Sequence, residues 1–178
     1  SDSSSQPYSA PYFIKYNPAL VAEFGSQNAV LLFDRLEYWF SKTKNEFYKF
    51  IEPCDHPCYR EGDSWCEELG FSRPVFRTAF DKIGMRYISK TAFEKESNPF
   101  KGKLFAYYQD RKSNKTIFVR NNSLLAELYA RLKDIIQKTV KAIKPTVEKT
   151  LKTFQPRAGG LVQPYVRATK DKQIITSY

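Results

Sequence analysis

The spacing of apolar residues along the chain predicts helices in four places. A short helix begins at Pro18, because proline is favoured at the first helical position, and ends at Gly25. In three longer segments apolar side chains recur at every third or fourth position, which places them on one helical face. These segments cover residues 27–43, 63–84 and 122–154. Ser26 caps the first of them, whose apolar residues are so numerous that we expect it in the centre of the core.

Residues 63–84 are expected to form two short helices joined by a turn of about three residues. Either Asp63 or Ser64 can cap the first helix, and Gly70 suits the left-handed conformation that ends it. Ser72 can cap the second helix, which Gly84 ends. The pattern predicts a helix-turn-helix.

Alternation of apolar and polar residues predicts strands on both sides of this helix pair. The strand candidates are residues 46–51, 85–90, 103–110 and 115–121. The last two are joined by a turn and form a hairpin. The stretch 91–103 contains Asn98, Pro99 and Gly102 and is predicted to be an inserted loop. The predicted fold class is therefore α+β and mostly helical, with a β-hairpin and a long C-terminal helix.

Charge is distributed unevenly along the 178 residues. The formal net charge is +10, but residues 1–72 carry −5, residues 73–120 carry +8 and residues 121–178 carry +7. Positive charge therefore begins at the second helix of the pair. Such a distribution indicates a polyanionic partner, a class that includes nucleic acid.

Basic side chains are concentrated on that second helix and around the hairpin. Arg73, Arg77 and Lys82 lie on the polar face of the helix, where guanidinium groups suit guanine edges and phosphates in a major groove. Five residues near the hairpin are expected to bind phosphates or a minor groove: Lys101, Lys103, Arg111, Lys112 and Lys115. The alternative is that these charges only keep an exposed hairpin soluble.

Three stretches resemble the winged helix DNA-binding domains of bacterial regulators and of phage and plasmid replication proteins. They are the helix NAVLLFDRLEYWFSK, the helix pair GDSWCEELGFSRPVFRTAFDKIG, and the strand MRYISK with the hairpin KLFAYYQDRKSNKTIFVRN. The resemblance covers about residues 26–120 and implies a winged helix-turn-helix in which the hairpin is the wing and helix 72–83 enters the major groove. It implies DNA contacts from Ser72, Arg73, Val75, Arg77, Thr78 and Lys82. The 13-residue insertion before the hairpin departs from a minimal wing.

The chain is expected to have four parts. They are a flexible arm (1–16), the winged helix-turn-helix domain (17–120), a long amphipathic basic helix (121–154) and a flexible basic tail (155–178). Asn122 caps the long helix, and Pro145 is expected to break or kink it. Its apolar stripe has three interpretations: docking on its own domain, homodimerisation through 122–154, or a basic face on DNA or an anionic surface.

All three cysteines and the only histidine lie within 13 residues. Cys54, His56, Cys58 and Cys66 offer three sulfurs and one imidazole, which are donors of a tetrahedral zinc site. Their spacing is tighter than in common zinc motifs, and Cys66 is better explained as a small residue between packed helices. The favoured interpretation is a turn in which His56 bonds to the backbone and the cysteines are buried as small apolar residues. No cofactor is predicted.

No arrangement of residues indicates an active site. Glu67 and Glu68 are adjacent, so on a helix they point about 100° apart, and we expect them on its solvent-facing side. A phosphate-binding glycine loop is also lacking, so neither catalysis nor a small-molecule substrate is predicted. The principal hypothesis is a cytoplasmic protein that binds double-stranded DNA in transcription regulation or in plasmid or phage replication, without membrane association. The alternatives are a protein-interaction module, a zinc-stabilised nucleic-acid binder and a single-strand binder.

Overall fold

The structure, a computed structural model, describes residues 18–153, and the chain divides after Leu132 into two compact units. Within residues 18–132 the first unit has five complete helices, the beginning of a sixth, and four strands. The helices are α1 (Pro18–Phe24), α2 (Gln27–Ser41), α3 (Trp65–Leu69), α4 (Arg73–Ile83), α5 (Lys90–Glu94) and α6 (Asn122–Thr153). The strands are β1 (Glu46–Tyr48), β2 (Gly84–Tyr87), β3 (Phe105–Asp110) and β4 (Lys115–Arg120). The predicted α+β class is confirmed.

Helix α2 lies in the core of the first unit, as its composition predicted. The side chain of Ser26 caps it by accepting a hydrogen bond from the backbone N–H of Ala29 at 3.2 Å. Seven of its residues are buried: Ala29, Val30, Leu32, Phe33, Leu36, Glu37 and Phe40. The helix ends at Ser41, two residues before the predicted end. Gly25, which separates it from α1, has the left-handed φ of 67°.

The four strands form one mixed sheet in the order β1-β4-β3-β2. Strand β4 pairs with β1 and β3 in antiparallel fashion, whereas β2 pairs with β3 in parallel. The register sets Phe47 and Tyr107 directly opposite Phe118 on its two sides. Directly opposite residues face the same side of a sheet, so these three rings share one face.

The ring of Phe118 connects the sheet to the helix pair. Its centre lies 5.4 Å from that of Phe47 and 5.3 Å from that of Tyr107 in the neighbouring strands. On the helical side it lies 5.6 Å from Trp65 of α3 and 5.9 Å from Phe80 of α4. All of these rings are buried. One aromatic cluster therefore fixes α3 and α4 on this face of the sheet.

Helix α5 covers part of the opposite face of the sheet. Tyr108 alternates with Tyr107 along β3 and packs on Phe93 of α5, with ring centres 5.3 Å apart. Ser89 caps α5 by accepting a hydrogen bond from the N–H of Ala92 at 3.1 Å. The prediction of a loop over 91–103 is therefore wrong for its first four residues. A helix of five residues is too short to show a periodic pattern, and packing of Phe93 on the sheet stabilises it.

Strand β1 is shorter than the predicted strand 46–51. It ends at Tyr48 because the next carbonyl groups turn towards the start of α3. Those of Phe50 and Ile51 accept hydrogen bonds from the N–H groups of Trp65 and Cys66, each at 2.9 Å. Both N–H groups belong to a first helical turn, which leaves its donors without partners inside the helix. The segment after β1 therefore accepts hydrogen bonds from the first turn of α3 and does not extend the sheet.

Two polar networks join the helices to the sheet. In the first, Arg120 of β4 forms two hydrogen bonds with Glu37 of α2, at 2.8 and 2.7 Å. The hydroxyl of Tyr129, in α6, donates to the same carboxylate at 2.7 Å. Burial alone would lower the pKa of Arg120, but the hydrogen bonds that it donates to Glu37 outweigh this effect and raise that pKa.

The second network holds α3 on α2. Glu68 accepts hydrogen bonds from Arg35 and from Trp39, the latter at 3.1 Å, and pairs with Lys49 at 2.8 Å. Lys49 is buried, donates to the carbonyl of Asp63 at 2.6 Å and lies 4.6 Å from the centre of the Trp39 ring. The expectation that Glu68 faces solvent is therefore wrong, since its side chain is 16% exposed.

The beginning of α6 docks on the first unit, in agreement with one predicted role of its apolar stripe. Leu125, Leu128, Tyr129 and Leu132 are buried. The cap is Asn121, not Asn122, because the side-chain oxygen of Asn121 accepts from the N–H of Leu124 at 3.2 Å. Asn122 instead accepts a hydrogen bond from Arg120 at 2.7 Å.

The second unit is described over residues 133–153, which continue α6. The predicted break at Pro145 does not occur, and the helix extends to Thr153. Apart from the half-buried Ile136, every residue of this segment is exposed. The carbonyl that a proline leaves unbonded one turn earlier therefore lies near solvent, which lowers its cost. The predicted arm (1–16) and tail (155–178) lie outside the described residues.

Candidate nucleic-acid interface

The turn between α3 and α4 has the conformation that its sequence predicted. The hydroxyl of Ser64 accepts a hydrogen bond from the N–H of Glu67 at 3.2 Å, and the Glu67 carboxylate accepts one from the N–H of Ser64 at 3.0 Å. Gly70 ends α3 with a φ of 66°, and Ser72 caps α4 by accepting from the N–H of Val75 at 3.4 Å. Three residues therefore separate the helices, as expected.

Glu67 also fixes the loop that precedes α3. Its carboxylate accepts hydrogen bonds from the hydroxyl of Tyr59 at 2.7 Å and from the N–H of Gly62 at 3.0 Å. The bond from the Ser64 hydroxyl, followed by those from Gly62 and Tyr59, lowers the pKa of Glu67 to about 2. Glu67 is exposed, as expected, but its carboxylate is engaged in these bonds and is not a free surface charge.

Helix α4 divides into a buried face and an exposed face. Phe76, Ala79, Phe80 and Ile83 are buried. The residues predicted to contact DNA are all exposed: Ser72, Arg73, Val75, Arg77, Thr78 and Lys82. The structure thus places this part of the predicted site on one solvent-facing surface.

Ion pairs neutralise some of the charges on that surface. Arg73 pairs with Glu52 at 2.5 Å, and Asp81 pairs with Arg86 of β2 at 2.6 Å. The hydrogen bonds that Arg86 donates to Asp81 raise the pKa of Arg86. Within residues 18–153, Arg77 and Lys82 have no ion pair, so they carry the uncompensated positive charge of α4.

The five basic residues predicted around the hairpin fall into two groups at opposite ends of β3. Lys101 and Lys103 precede the strand, where Lys101 pairs with Glu96 at 3.5 Å and Lys103 donates to the carbonyl of Asp81 at 2.5 Å. Arg111, Lys112 and Lys115 lie at or next to the β3–β4 turn. A strand of six residues spans about 20 Å, so the two groups cannot bind the same phosphate.

The basic residues at the hairpin turn differ in their contacts. Arg111 and Lys112 are exposed, and neither forms an ion pair within the part of the chain that the structure describes. Lys115, in contrast, lies 4.0 Å from the centre of the Tyr48 ring. The turn therefore presents two unpaired cations to solvent.

His56 joins the loop after β1 to the hairpin turn. Its Nε2 lies 2.8 Å from the carbonyl oxygen of Ser113, and its Nδ1 accepts a hydrogen bond from the N–H of Cys58 at 3.0 Å. Because Nδ1 accepts, Nε2 carries the proton and donates to Ser113. The prediction that His56 bonds to the backbone is confirmed.

The cysteines do not join His56 in a metal site. Cys54 and Cys58 are exposed, which contradicts the prediction that they are buried, and Cys66 is half-buried. Burial raises the pKa of the Cys66 thiol. No group of three or more metal-binding side chains occurs within residues 18–153. The loop is held instead by His56, by contacts of its backbone and by the hydrogen bond from Tyr59 to Glu67.

A cleft of about 470 Å³ lies between this loop, the start of α4 and the end of the hairpin. Its lining includes Glu52 and Asp55 from the loop, Arg73 from α4, and Gln109 and Asn114 from the hairpin. The N-terminal end of α4 is therefore flanked by carboxylates, a feature that sequence analysis missed. Glu52 lies 21 residues before Arg73, and no local pattern signals that pairing.

A second depression, of about 190 Å³, lies at the other end of α4. Lys82, Lys103 and Arg131 line it together with Glu23, which pairs with Arg131 at 2.9 Å. Neither Arg131 nor Arg86 was predicted to be near the candidate interface. Both are contributed by other elements, so only the tertiary structure shows their proximity to α4.

These features define an α+β protein in which a capped helix pair packs on a mixed sheet and presents unpaired arginine and lysine to solvent. Neither family models, nor curated proteins, nor solved structures gave a match to this chain. The assignment of a function therefore rests on the residues themselves. Between Pro18 and Thr153, no helix combines the length and the apolar character needed to cross a membrane.

Proposed function

We propose that residues 18–132 form a winged helix-turn-helix domain that binds double-stranded DNA. In this proposal α4 enters the major groove, where Arg77 contacts a base edge, and the β3–β4 turn binds backbone phosphates. The observation that carries the proposal is the exposed face of α4, where Arg77 and Lys82 have no acidic partner among the described residues.

The order of the elements supports this proposal. A winged helix-turn-helix domain has the order helix, strand, helix, helix, strand, hairpin. Here α2, β1, α3, α4, β2 and the hairpin β3–β4 follow that order. Helix α5 is an addition between β2 and the hairpin.

The distribution of unpaired charge also supports DNA binding. Arg77 and Lys82 on α4, together with Arg111 and Lys112 on the hairpin turn, are exposed cations without an ion pair in the described residues. Side chains of this kind release counterions when they bind phosphate, which supplies affinity for any duplex. Base contacts from a helix in the groove then supply the sequence preference.

The direct test is fluorescence anisotropy with random duplex, single-stranded DNA and RNA over a series of salt concentrations. We expect preference for the duplex and affinity that falls steeply as salt rises. A preferred site is then selected from a pool of random duplexes. Absence of binding to all three nucleic acids at low salt would refute the proposal.

Arg77→Ala tests whether α4 reads bases. If Arg77 holds a guanine, the variant loses about 1–3 kcal/mol on the selected site and less on random duplex. Lys95→Ala is the matched control, because Lys95 is exposed and follows α5, on the other face of the sheet. Equal losses on selected and random DNA would exclude base contact by Arg77.

A second candidate function, a protein-interaction module on the same scaffold, is favoured by the carboxylates beside α4. Glu52 neutralises Arg73, and Asp55 lines the same cleft, so this end of α4 is poorly suited to phosphate. Binding to none of the three nucleic acids would favour this candidate.

A further inference from the structure

Residues 133–153 of α6 carry apolar side chains that are exposed to solvent in a single copy of the protein. Five large aliphatic residues are about half exposed or more: Ile135 (48%), Val140 (59%), Ile143 (51%), Val147 (46%) and Leu151 (66%). Leaving this much apolar surface in water is unfavourable. A partner that covers it would stabilise the segment.

Four of the apolar residues form a narrow seam. Ile136, Val140, Ile143 and Val147 follow one another at steps of four, three and four residues. At 100° per residue they lie within about 60° of one another around the helix axis. Alternating steps of three and four are the spacing of the buried a and d positions in a coiled coil.

Most of the lysines lie away from this seam, so a second copy can approach it. Of the six lysines, Lys133 and Lys144 lie about 50–70° from the middle of the seam. The other four lie about 130–170° from it, so they point away from an identical helix packed on the seam. They are Lys138, Lys141, Lys149 and Lys152. One flank of the seam carries threonines spaced seven residues apart, Thr139 and Thr146. In a parallel pair Lys144, on the other flank, faces such a threonine of the second copy and not a like charge.

The same arrangement argues against a lipid surface as the occupant. Helices that lie in a membrane interface place aromatic residues on the apolar face and basic residues along the polar face. Residues 133–153 contain no Trp, Tyr or Phe, and threonines occupy one border of the seam. The segment therefore has the basic polar face of such helices but lacks their aromatic residues.

Helix propensity gives an independent reason to expect a partner. Residues 133–153 contain four threonines, two valines, three isoleucines and Pro145, all weaker helix formers than Ala or Leu. In proteins most of the stability of a helix comes from packing of its apolar face and not from propensity. Packing along the seam would stabilise the helical conformation described here.

We propose that residues 133–153 form a self-association surface, in which the seam of one chain packs against the seam of a second copy in parallel. The start of α6, in contrast, stays in the core of the first unit, where Leu125, Leu128 and Leu132 are buried. This proposal does not depend on DNA binding.

The test uses the full chain without DNA and measures mass by sedimentation equilibrium over a range of concentrations. We expect a mass above the 20.8 kDa of one chain that falls towards it on dilution. Ile143→Lys should weaken the association at least about tenfold, because the new charge would have to be buried in the seam. Ala142→Lys adds the same charge at the neighbouring position, about 100° away on the helix. This variant should leave the association nearly unchanged.

Three results would overturn the proposal. One is a single-chain mass for the unaltered protein at every concentration. Another is an equal effect of Ile143→Lys and Ala142→Lys. The third is a monomer that sediments with vesicles containing anionic lipid and loses this property with Ile143→Lys. Thermal unfolding of both variants checks that the first unit, which neither substitution touches, is still folded.

Discussion

The pairing of Glu68 with Lys49 leads to a quantitative prediction about how α3 is held on α2. The side chain of Lys49 is 6% exposed and that of Glu68 is 16% exposed, so most of this ion pair is removed from water. Removing one partner of a buried pair costs about 3–5 kcal/mol, because it leaves an uncompensated charge. Arg35 is 31% exposed and gives water some access to the network. We therefore expect Glu68→Gln to lower the free energy of unfolding by about 3 kcal/mol, at the low end of that range.

Replacement of the other partner, Lys49→Met, should lower the free energy of unfolding by less. Glu68 then keeps its hydrogen bonds from Arg35 and Trp39, so no charge is left alone. Methionine retains the contact with the rings of Trp39 and Trp65 on which the lysine lies. The expected loss is about 2 kcal/mol, because the bonds of Lys49 to Glu68 and to the carbonyl of Asp63 are both removed. Because the double variant contains no unpaired lysine, it should be about 1–3 kcal/mol more stable than the sum of the single effects predicts.

Urea unfolding followed by tryptophan fluorescence and circular dichroism measures all three variants. Coincident transitions with the two probes establish that a single free energy describes the unfolding. Glu61→Gln is the matched control, because Glu61 is exposed and forms no ion pair within residues 18–153; its effect should stay within about 0.5 kcal/mol. Single effects that add to within about 0.5 kcal/mol would refute the coupling.

Two further predictions concern the helix pair. Gly84→Ala should destabilise the first unit by about 1–3 kcal/mol in urea unfolding, because a Cβ there would overlap the buried ring of Phe80. In a protein that already carries Phe80→Leu, Gly84→Ala should cost less. An equal cost in both backgrounds would contradict the overlap. Glu67→Gln should flatten the decline of Tm in acid. The folded-state pKa of Glu67, about 2, lies below its ordinary 4.5, so its contribution is complete above pH 4.5 and is lost as pH falls towards 2. An unaltered decline in Tm over that interval would show that Glu67 does not hold the cap.

Sequence signals were sufficient wherever the physical cause is local. Ser26, Gly70 and Ser72 were predicted as caps and ends because each acts on a backbone group within a few residues. The hairpin and the buried face of α4 follow from equally local periodicities. The exposed set on α4 was predictable for the same reason, since burial of one helical face determines which residues lie on the other.

The predictions failed where the cause is a contact between distant residues. Glu68 was expected in solvent because its partner Lys49 lies 19 residues earlier, in a segment predicted to be a strand. His56 contacts Ser113, which lies 57 residues later. The sequence therefore predicted a hydrogen bond from His56 to the backbone but not the residue whose carbonyl accepts it. Helix α5 was missed because its stability comes from packing of Phe93 on the sheet. Tertiary contacts, and not propensity, decide these features.

Contacts between distant residues also determine how much of the formal charge is available to DNA. Eight basic residues were predicted to contact DNA, but Arg73 is paired with Glu52 and Lys101 with Glu96. Lys103 donates to a backbone carbonyl, which holds its side chain but leaves its charge uncompensated. If these partners persist in the complex, Lys82→Ala should reduce the slope of log K against log salt by about 0.9, the value for one phosphate contact. Arg73→Ala should change the slope much less, because its counterion is Glu52 in the free protein and not salt. Equal changes for the two variants would mean that DNA displaces Glu52, and the cleft beside α4 would then be part of the DNA-binding surface.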